Sequence, residues 1–169
     1  MNLQFYLEKL NSLENFQEFI RENPKAFFCS SFFVLDKDGN DNKQHFDFFN
    51  PADNKIMSFQ LEDDGKMVPL EFINISTPSE MSVDIDFDFD YIERKILGEM
   101  MSQDIKNKIQ KIIISMQKVN GKNFLVCTVF ISGFGLVKVN IDLDENKITD
   151  FDKKSFFDMV KVFKKDDKG

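Results

Sequence analysis

The stretch that decides the fold is GKNFLVCTVFISGFGLVKVNIDLDENKITDFD, residues 121–152. Residues 124–132 are rich in β-branched and aromatic side chains, and Gly133-Phe134-Gly135 separates them from a second run at residues 136–143. Glycine-bearing connections of this length join the strands of hairpins. The second run alternates apolar and polar residues: Val137, Val139, Ile141 and Leu143 with Lys138, Asn140 and Asp142. The stretch therefore predicts a hairpin with one face buried in the core and the other face exposed to solvent.

The bulk composition restricts the partners. The chain has 169 residues, which is enough to bury a substantial core, and a net charge of −7. This charge disfavours nucleic acid, whose binders need a basic surface, and it equally disfavours anionic membranes. No apolar run approaches the roughly 18 residues of a membrane span, and residues 1–5 lack the features of a secretory signal. We expect a soluble, cytoplasmic protein with no nucleic-acid or membrane partner.

The cysteines are expected to be structural. Cys29 and Cys127 each lie within an apolar run, where a thiol packs as a small hydrophobe. A disulfide stays possible if their strands are neighbours with suitable geometry. Zinc is disfavoured, because these two residues and the one histidine, His45, are too few ligands.

The N-terminal half reads as helix followed by strands. Apolar residues at helical spacing over residues 2–22 predict one amphipathic helix, or two short ones with a break near Asn11-Ser12. Asn23, which precedes Pro24, ends the helical region. The predicted strands are residues 26–35, 45–49, 55–62 and 67–75, the last an edge or irregular strand because it contains Pro69. Residues 76–80 are the best linker candidate.

Residues 81–90 predict a strand with an acidic face. Their apolar residues alternate with the carboxylates Asp84, Asp86, Asp88 and Asp90. Such a ladder is a candidate site for a divalent cation, since the ion would relieve the repulsion among the acids. The favoured interpretation is an edge strand that charge protects from aggregation, because a strand spreads its acids too widely to encircle one ion.

The C-terminal half begins with a predicted helix at residues 91–119, with a break or bend at Gly98 or Ser102. After the hairpin, apolar residues within 154–163 predict a short helix that could close the sheet. Residues 164–169 are expected to be a frayed tail.

The two halves resemble each other. Residues 23–33 parallel residues 120–131, and residues 59–66 parallel residues 141–147. The predicted fold is α+β: two helix–β-meander repeats with antiparallel sheets packed against amphipathic helices. The predicted domains are a first repeat at 1–76 with an inserted hairpin, a linker and acidic strand at 77–90, a second repeat with a C-terminal helix at 91–163, and a tail at 164–169.

A helix followed by an antiparallel meander that closes on Asp144-Glu145-Asn146-Lys147-Ile148 resembles PepSY-like domains, here in two copies. The whole also resembles a group of small uncharacterised archaeal proteins that share the shape of residues 23–34 and 124–152. PepSY-type domains are usually exported and tied to protease inhibition or regulation. The resemblance implies a role in protease inhibition or regulation, and it supplies no catalytic residue.

Three functional hypotheses remain. No catalytic triad, phosphate loop or metal-ligand motif is present, and His45 reads as a surface or half-buried strand residue, so we predict no catalytic residue and no cofactor. The first hypothesis, motivated by 21 phenylalanines, is a non-enzymatic protein-interaction module that self-associates or binds a protein partner. The second is a carrier of a small apolar ligand, held between the helices and the sheet. The third is a metal-dependent enzyme that uses Asp84–Asp90.

Overall fold

The computed structural model describes residues 1–71, 76–155 and 157. In that part of the chain the helices are α1 (Leu3–Asn11), α2 (Glu14–Glu22) and α3 (Phe89–Ser102), with a short 3-10 turn at Leu61–Asp63. The strands are β1 (Phe27–Asp36), β2 (Lys43–Asn50), β3 (Lys55–Gln60), β4 (Lys66–Leu70), β5 (Ile109–Val119), β6 (Lys122–Ile131), β7 (Gly135–Asp142) and β8 (Lys147–Ser155). The fold is therefore α+β, as predicted.

Within the described residues the strands form one antiparallel sheet in the order β4-β3-β2-β1-β5-β6-β7-β8. The first meander, β1–β4, and the second meander, β5–β8, each run outward from the centre. Their first strands pair with each other, so that residues from Ser30 to Asp36 lie opposite residues from Gln117 to Lys111. The two meanders thus form one continuous sheet, and the hairpin of residues 121–152 supplies β6, β7 and the first part of β8.

The N-terminal helical region divides into two short helices, which agrees with the predicted break near Asn11-Ser12. The side chain of Asn2 caps α1 by accepting a hydrogen bond from the backbone N–H of Phe5. Ser12 closes α1 at its C-terminus, and Leu13 takes the N-cap position of α2. The apolar side chains of α1 and α2 pack on the sheet, so the apolar pattern at helical spacing over residues 2–22 contributes to the core.

The predicted strand at residues 81–90 is wrong. Residues 81–87 are irregular with a turn at Val83-Asp84, and α3 begins at Phe89. The apolar residues of this segment do not share one face: Phe87 is buried, whereas Val83 is 54% exposed. Asp88 instead caps α3 by accepting a hydrogen bond from the backbone N–H of Tyr91, which is why the chain turns into a helix here.

The predicted helix at residues 91–119 is wrong in its second half. The helix ends at Ser102, one of the two expected break points, and residues 109–119 form β5. In β5 the buried side chains alternate, with Ile112, Ile114 and Met116 facing the core. Consecutive β-branched isoleucines favour this extended pairing with β1 and β6, which a helix would forfeit.

Two further predictions concern residues that lie partly outside the described part of the chain. The helix predicted to begin at Lys154 does not begin there, because Lys154 and Ser155 extend β8 and pair with Leu136 and Gly135. Of the rest of that helix only Phe157 is described, and the predicted tail lies outside the described residues. The strand predicted at 67–75 ends at Leu70 as β4, and residues 72–75 likewise lie outside the described part.

The core lies between the helices and one face of the sheet, here called the inner face. Its centre is aromatic: the Phe33 ring is fully buried and lies 4.8 Å from the Phe89 ring and 5.6 Å from the Phe46 ring, centroid to centroid. Edge-to-face contacts of this kind stabilise beyond the area they bury. Many of the phenylalanine side chains therefore serve to fill the core.

Both cysteines are free and buried, as predicted. Burial raises the pKa of the Cys127 thiol to about 12 and that of Cys29 to about 11. Both thiols therefore stay protonated and unreactive at neutral pH.

Phe33 and its neighbour Phe32 provide a test of this two-sided arrangement. Phe33→Ala should lower the free energy of unfolding by about 3–5 kcal/mol, since a buried ring is lost and a cavity is left. Phe32→Ala, on the opposite face and only partly buried, should cost clearly less. Urea unfolding measures both, and equal losses would contradict the assignment of the core to the inner face.

Candidate functional site

The sheet has a second face, here called the outer face, on which the described helices do not pack. Strand register places alternate side chains there, opposite those of the core. They form a mixed surface whose largely apolar centre consists of Phe32, Val34, Ile113, Val126, Thr128, Phe130 and Leu136. Val34 and Leu136 are buried, at 4% and 8% exposure, whereas Phe130 is 39% exposed. No described helix packs on this face, and the candidate site lies on it.

A groove runs across one end of the outer face. Its apolar part, with a volume of about 730 Å³, lies over β6 and β7. It continues into a more polar depression of about 620 Å³ over β1 and β5, and Gln110 and Phe130 line both parts. We call the two parts together the outer groove. Its apolar part is lined mainly by hydrocarbon, with Lys138 as its cationic side chain.

The β6–β7 turn builds the rim of the groove. Gly133 and Phe134 both have positive φ, 79° and 57°, which turns the chain sharply and leaves the Phe134 ring 75% exposed. A bulky residue is uncommon in this region of φ. A Cβ at Gly135 would lie 2.7 Å from the side chain of Ile131, so a larger residue there would force that side chain to move. The sequence showed this Gly-Phe-Gly only as a tight connection, not as the rim of a site.

Acidic side chains and two lysines line the polar end of the groove. Asp41 pairs with Lys111 through an Nζ–Oδ2 distance of 2.9 Å and with Lys43 at 3.3 Å. Hydrogen bonds from these lysines lower the pKa of Asp41, and Asp41 raises the pKa of Lys111. The Asp36 carboxylate accepts backbone N–H groups of its own turn, including that of Asp38, so this turn is held by its own side chains.

The predicted metal ligands lie far from the groove and are engaged otherwise; they are Asp84, Asp86, Asp88 and Asp90. The α-amino group of Met1 lies 3.2 Å from Asp88 and 3.3 Å from Asp90. Asp86 accepts a hydrogen bond of 2.9 Å from the Asn2 side chain. Within the described residues no group of three or more His, Cys, Asp or Glu side chains is placed to hold a metal ion. Asp86, Asp88 and Asp90 thus fasten the N-terminus to the segment that leads into α3.

Asp88 and Asp84 allow this role to be tested. Asp88→Ala should lower the midpoint of thermal unfolding, because it removes both the cap of α3 and the ion pair with Met1. Asp84→Ala should change it little, since Asp84 bonds only within its own turn, to Ser82. Differential scanning calorimetry provides the measurement, and equal shifts would show that the cap and ion pair do not contribute.

His45 and Asp47 lie on the outer face of the first meander. His45 Nε2 lies 2.5 Å from Glu62 Oε1, and the ring is partly buried, as predicted. Asp47 is only 7% exposed; its Oδ2 accepts a 2.7 Å hydrogen bond from Ser30, whereas its Oδ1 has no hydrogen-bond partner. Burial raises the pKa of Asp47, although the hydrogen bonds from Ser58 and Ser30 act in the opposite direction and lower it. His45 is paired with the Glu62 carboxylate and Asp47 with the Ser30 hydroxyl, so the described hydrogen bonds do not join a histidine to a nucleophile.

Asp47 gives a pH prediction. With its folded pKa raised, Asp47 keeps its proton where the unfolded chain has lost it, so wild-type stability falls as pH rises from about 4 towards the folded pKa. Asp47→Asn lacks this loss and should gain stability relative to wild type over that window. Urea unfolding across pH measures the difference. The exposed Asp150→Asn is the control, and a difference independent of pH would contradict the prediction.

Comparison with known proteins leaves the family open. No helix among the described residues is both long and apolar enough to span a bilayer. No protein-family model and no curated protein matches the chain. The fold is similar to the crystal structure of a "putative lipoprotein" from Clostridium difficile 630, with 10% identity, a TM-score of 0.42, and coverage of 83% of this chain and 91% of that one. At that identity and TM-score the similarity establishes neither a family nor a function.

Proposed function

We propose that the protein is a non-enzymatic protein-interaction module, and that a second copy of the chain docks on its outer face. One observation carries the proposal: the helices lie on one side of the sheet, and the other side presents an apolar centre and a groove. Two sheets that pack face to face bury such surfaces about 10 Å apart.

The edges of the sheet are poor docking sites, which favours the face. On β4, Pro69 lacks a backbone N–H and Lys66 adds charge. The other edge, β8, carries exposed charged side chains at Lys147, Asp150, Asp152 and Lys153. Prolines and charges at edges oppose the addition of another strand.

The size and charge of the outer face suit a second copy. Eight strands about 4.8 Å apart and five to eleven residues long give this face an area of roughly 1,000 Å². A standard interface buries about 800 Å² on each partner. The groove has acids at one end, including Asp36 and Asp38, and Lys138 at the other. A two-fold axis would bring the acidic end of one copy to the lysine end of its partner.

A second candidate function has its own observation. The apolar part of the groove has the size of a site for a small apolar ligand, for which about 300–1,000 Å³ is typical. It lies on the outer face and not between helices and sheet, where the carrier hypothesis placed it. The metal-dependent enzyme hypothesis lacks comparable support, because Asp88 and Asp90 bind the α-amino group of Met1, and Asp88 also caps α3.

We also propose that the two halves derive from one duplicated unit. Each half places helix before a four-stranded meander, and the meanders meet through their first strands. This order supports the repeat hypothesis, whereas the domain bounds at residues 1–76 and 91–163 stay a prediction. The PepSY-like resemblance stays a prediction beside it.

Self-association is tested with a charge on the outer face. Full-length protein should show a concentration-dependent monomer–dimer equilibrium in sedimentation velocity. Ile113→Lys should weaken it at least about tenfold, because each copy would bury an unpaired ammonium group in the interface. Met101→Lys, at a 77% exposed apolar position on α3, is the matched control and should leave it unchanged.

Two results would contradict the proposal. One is a wild-type chain that sediments as a monomer at every concentration. The other is an equal loss of association in both variants, which would show that the interface is not on the outer face. An apolar ligand that co-purifies with the monomer would favour the carrier function instead.

A further inference from the structure

We propose that a small organic ammonium ion with an apolar tail, of the arylalkylamine class, binds in a pocket beside α1. The pocket lies on the helix side of the sheet, so it is separate from the outer groove. The inference therefore goes beyond the proposed function, and it does not require self-association.

The pocket has an apolar floor and a more polar rim, and its volume is about 220 Å³. The floor consists of buried side chains from α1, α2 and β2: Leu7, Leu10, Phe16 and Phe48. The rim consists of exposed or partly exposed residues of α1 and of the turn before α3: Gln4, Asn11, Val83 and Asp84. Such a pocket suits a ligand with one apolar end and one polar end.

Hydrogen bonds hold one wall of the pocket in place. The Gln4 side chain donates from Nε2 to the carbonyl oxygens of Val83, at 2.8 Å, and Ile85, at 2.9 Å. Further along the same segment, the carbonyl oxygen of Phe87 accepts a hydrogen bond of 3.0 Å from the backbone N–H of Leu3. The irregular segment before α3 is thus attached to α1 at several points. A ligand therefore meets a pocket that is already formed, which lowers the entropic cost of binding.

Asp84 determines the charge of the ligand. It is the one charged side chain among the described residues that line the pocket. Asp88 and Asp90 pair with the α-amino group of Met1, whereas the described contact of the Asp84 carboxylate is a long hydrogen bond of 3.4 Å from the Ser82 hydroxyl. An ammonium group would give Asp84 a cationic partner through a charge-assisted hydrogen bond. The net charge of −7 also attracts cations to this protein.

The volume and the floor of the pocket determine the apolar part of the ligand. An apolar cavity of about 150 Å³ holds benzene, so 220 Å³ corresponds to about nine non-hydrogen atoms. Phenethylamine is a molecule of this size. The Phe16 and Phe48 rings lie 5.0 Å apart, centroid to centroid, in an edge-on arrangement. A third aromatic ring can pack on them in the offset or edge-on geometry that such rings prefer.

Titration of the full-length chain with phenethylamine, followed by NMR of the backbone amides, tests the proposal. Amide signals of the residues that line the pocket should shift and saturate, with a dissociation constant of about 1 mM or lower. Phenethyl alcohol has nearly the same size and shape and no charge. It should bind about three- to tenfold more weakly, because it cannot pair with the exposed Asp84 carboxylate.

Asp84→Asn separates the charge from the fit of the apolar part. It should weaken the binding of phenethylamine about three- to tenfold and leave that of phenethyl alcohol nearly unchanged. Asp150→Asn, which removes an exposed carboxylate on β8, is the matched control and should change neither affinity. Added salt should likewise weaken the binding of the amine to the wild type and spare the alcohol.

Three results would overturn the proposal. One is the absence of saturable shifts, and another is a set of shifts confined to the outer groove, around Phe130 and Phe134. The third is equal affinity of phenethylamine for the wild type and for Asp84→Asn. The same spectra show whether each variant is folded, and the salt titration of the wild type decides the matter if Asp84→Asn is not. Because the pocket lies on the helix side of the sheet, failure here leaves the sedimentation test of self-association unaffected.

Discussion

The pairing of β1 with β5 is the contact on which the rest of the structure depends. It joins residues about 80 positions apart along the chain, as in the pair Phe33 and Ile114, and it makes one sheet of two meanders. Without it each meander would expose an edge strand whose inner side chains are fully buried in the native fold. This β1–β5 pairing, here called the seam, therefore sets the width of the sheet. It also places the helices of both halves over one core.

Because the described helices pack on the inner face of the sheet, the candidate binding surface lies on the outer face. The inner face is filled by interlocking aromatic and aliphatic side chains, so the larger openings lie on the outer face. The groove there is a product of the seam and the β6–β7 turn together: β5 supplies Gln110, whereas the turn supplies Phe134. Because charges and a proline line the two edges of the sheet, the outer face is the surface on which we propose that a second copy docks.

Patterns within single segments of the sequence, such as apolar alternation and turn glycines, were enough to predict part of the fold. The hairpin of β6 and β7 was predicted within two residues at each end, because its alternation and its glycine turn are both local. The helix at residues 91–119 was half wrong, because Ile109, Ile112 and Met116 fit a helical stripe as well as a strand, and only the distant partner β1 decides between them. The prediction of an acidic strand failed because Asp88 caps α3 through the backbone N–H of Tyr91 and also pairs with the α-amino group of Met1, 87 residues away. The groove was not predictable, since the sequence does not say which face the helices take.

Native-state hydrogen exchange at β1 and β5 tests the central claim most directly, because it reports the free energy of opening at each amide. If the seam holds one cooperative sheet, the amides between β1 and β5 belong to the slowest class, and those of both strands exchange through the same global unfolding event. A lower opening free energy for β1 than for β5, or separate unfolding of the two meanders in denaturant, would contradict the account.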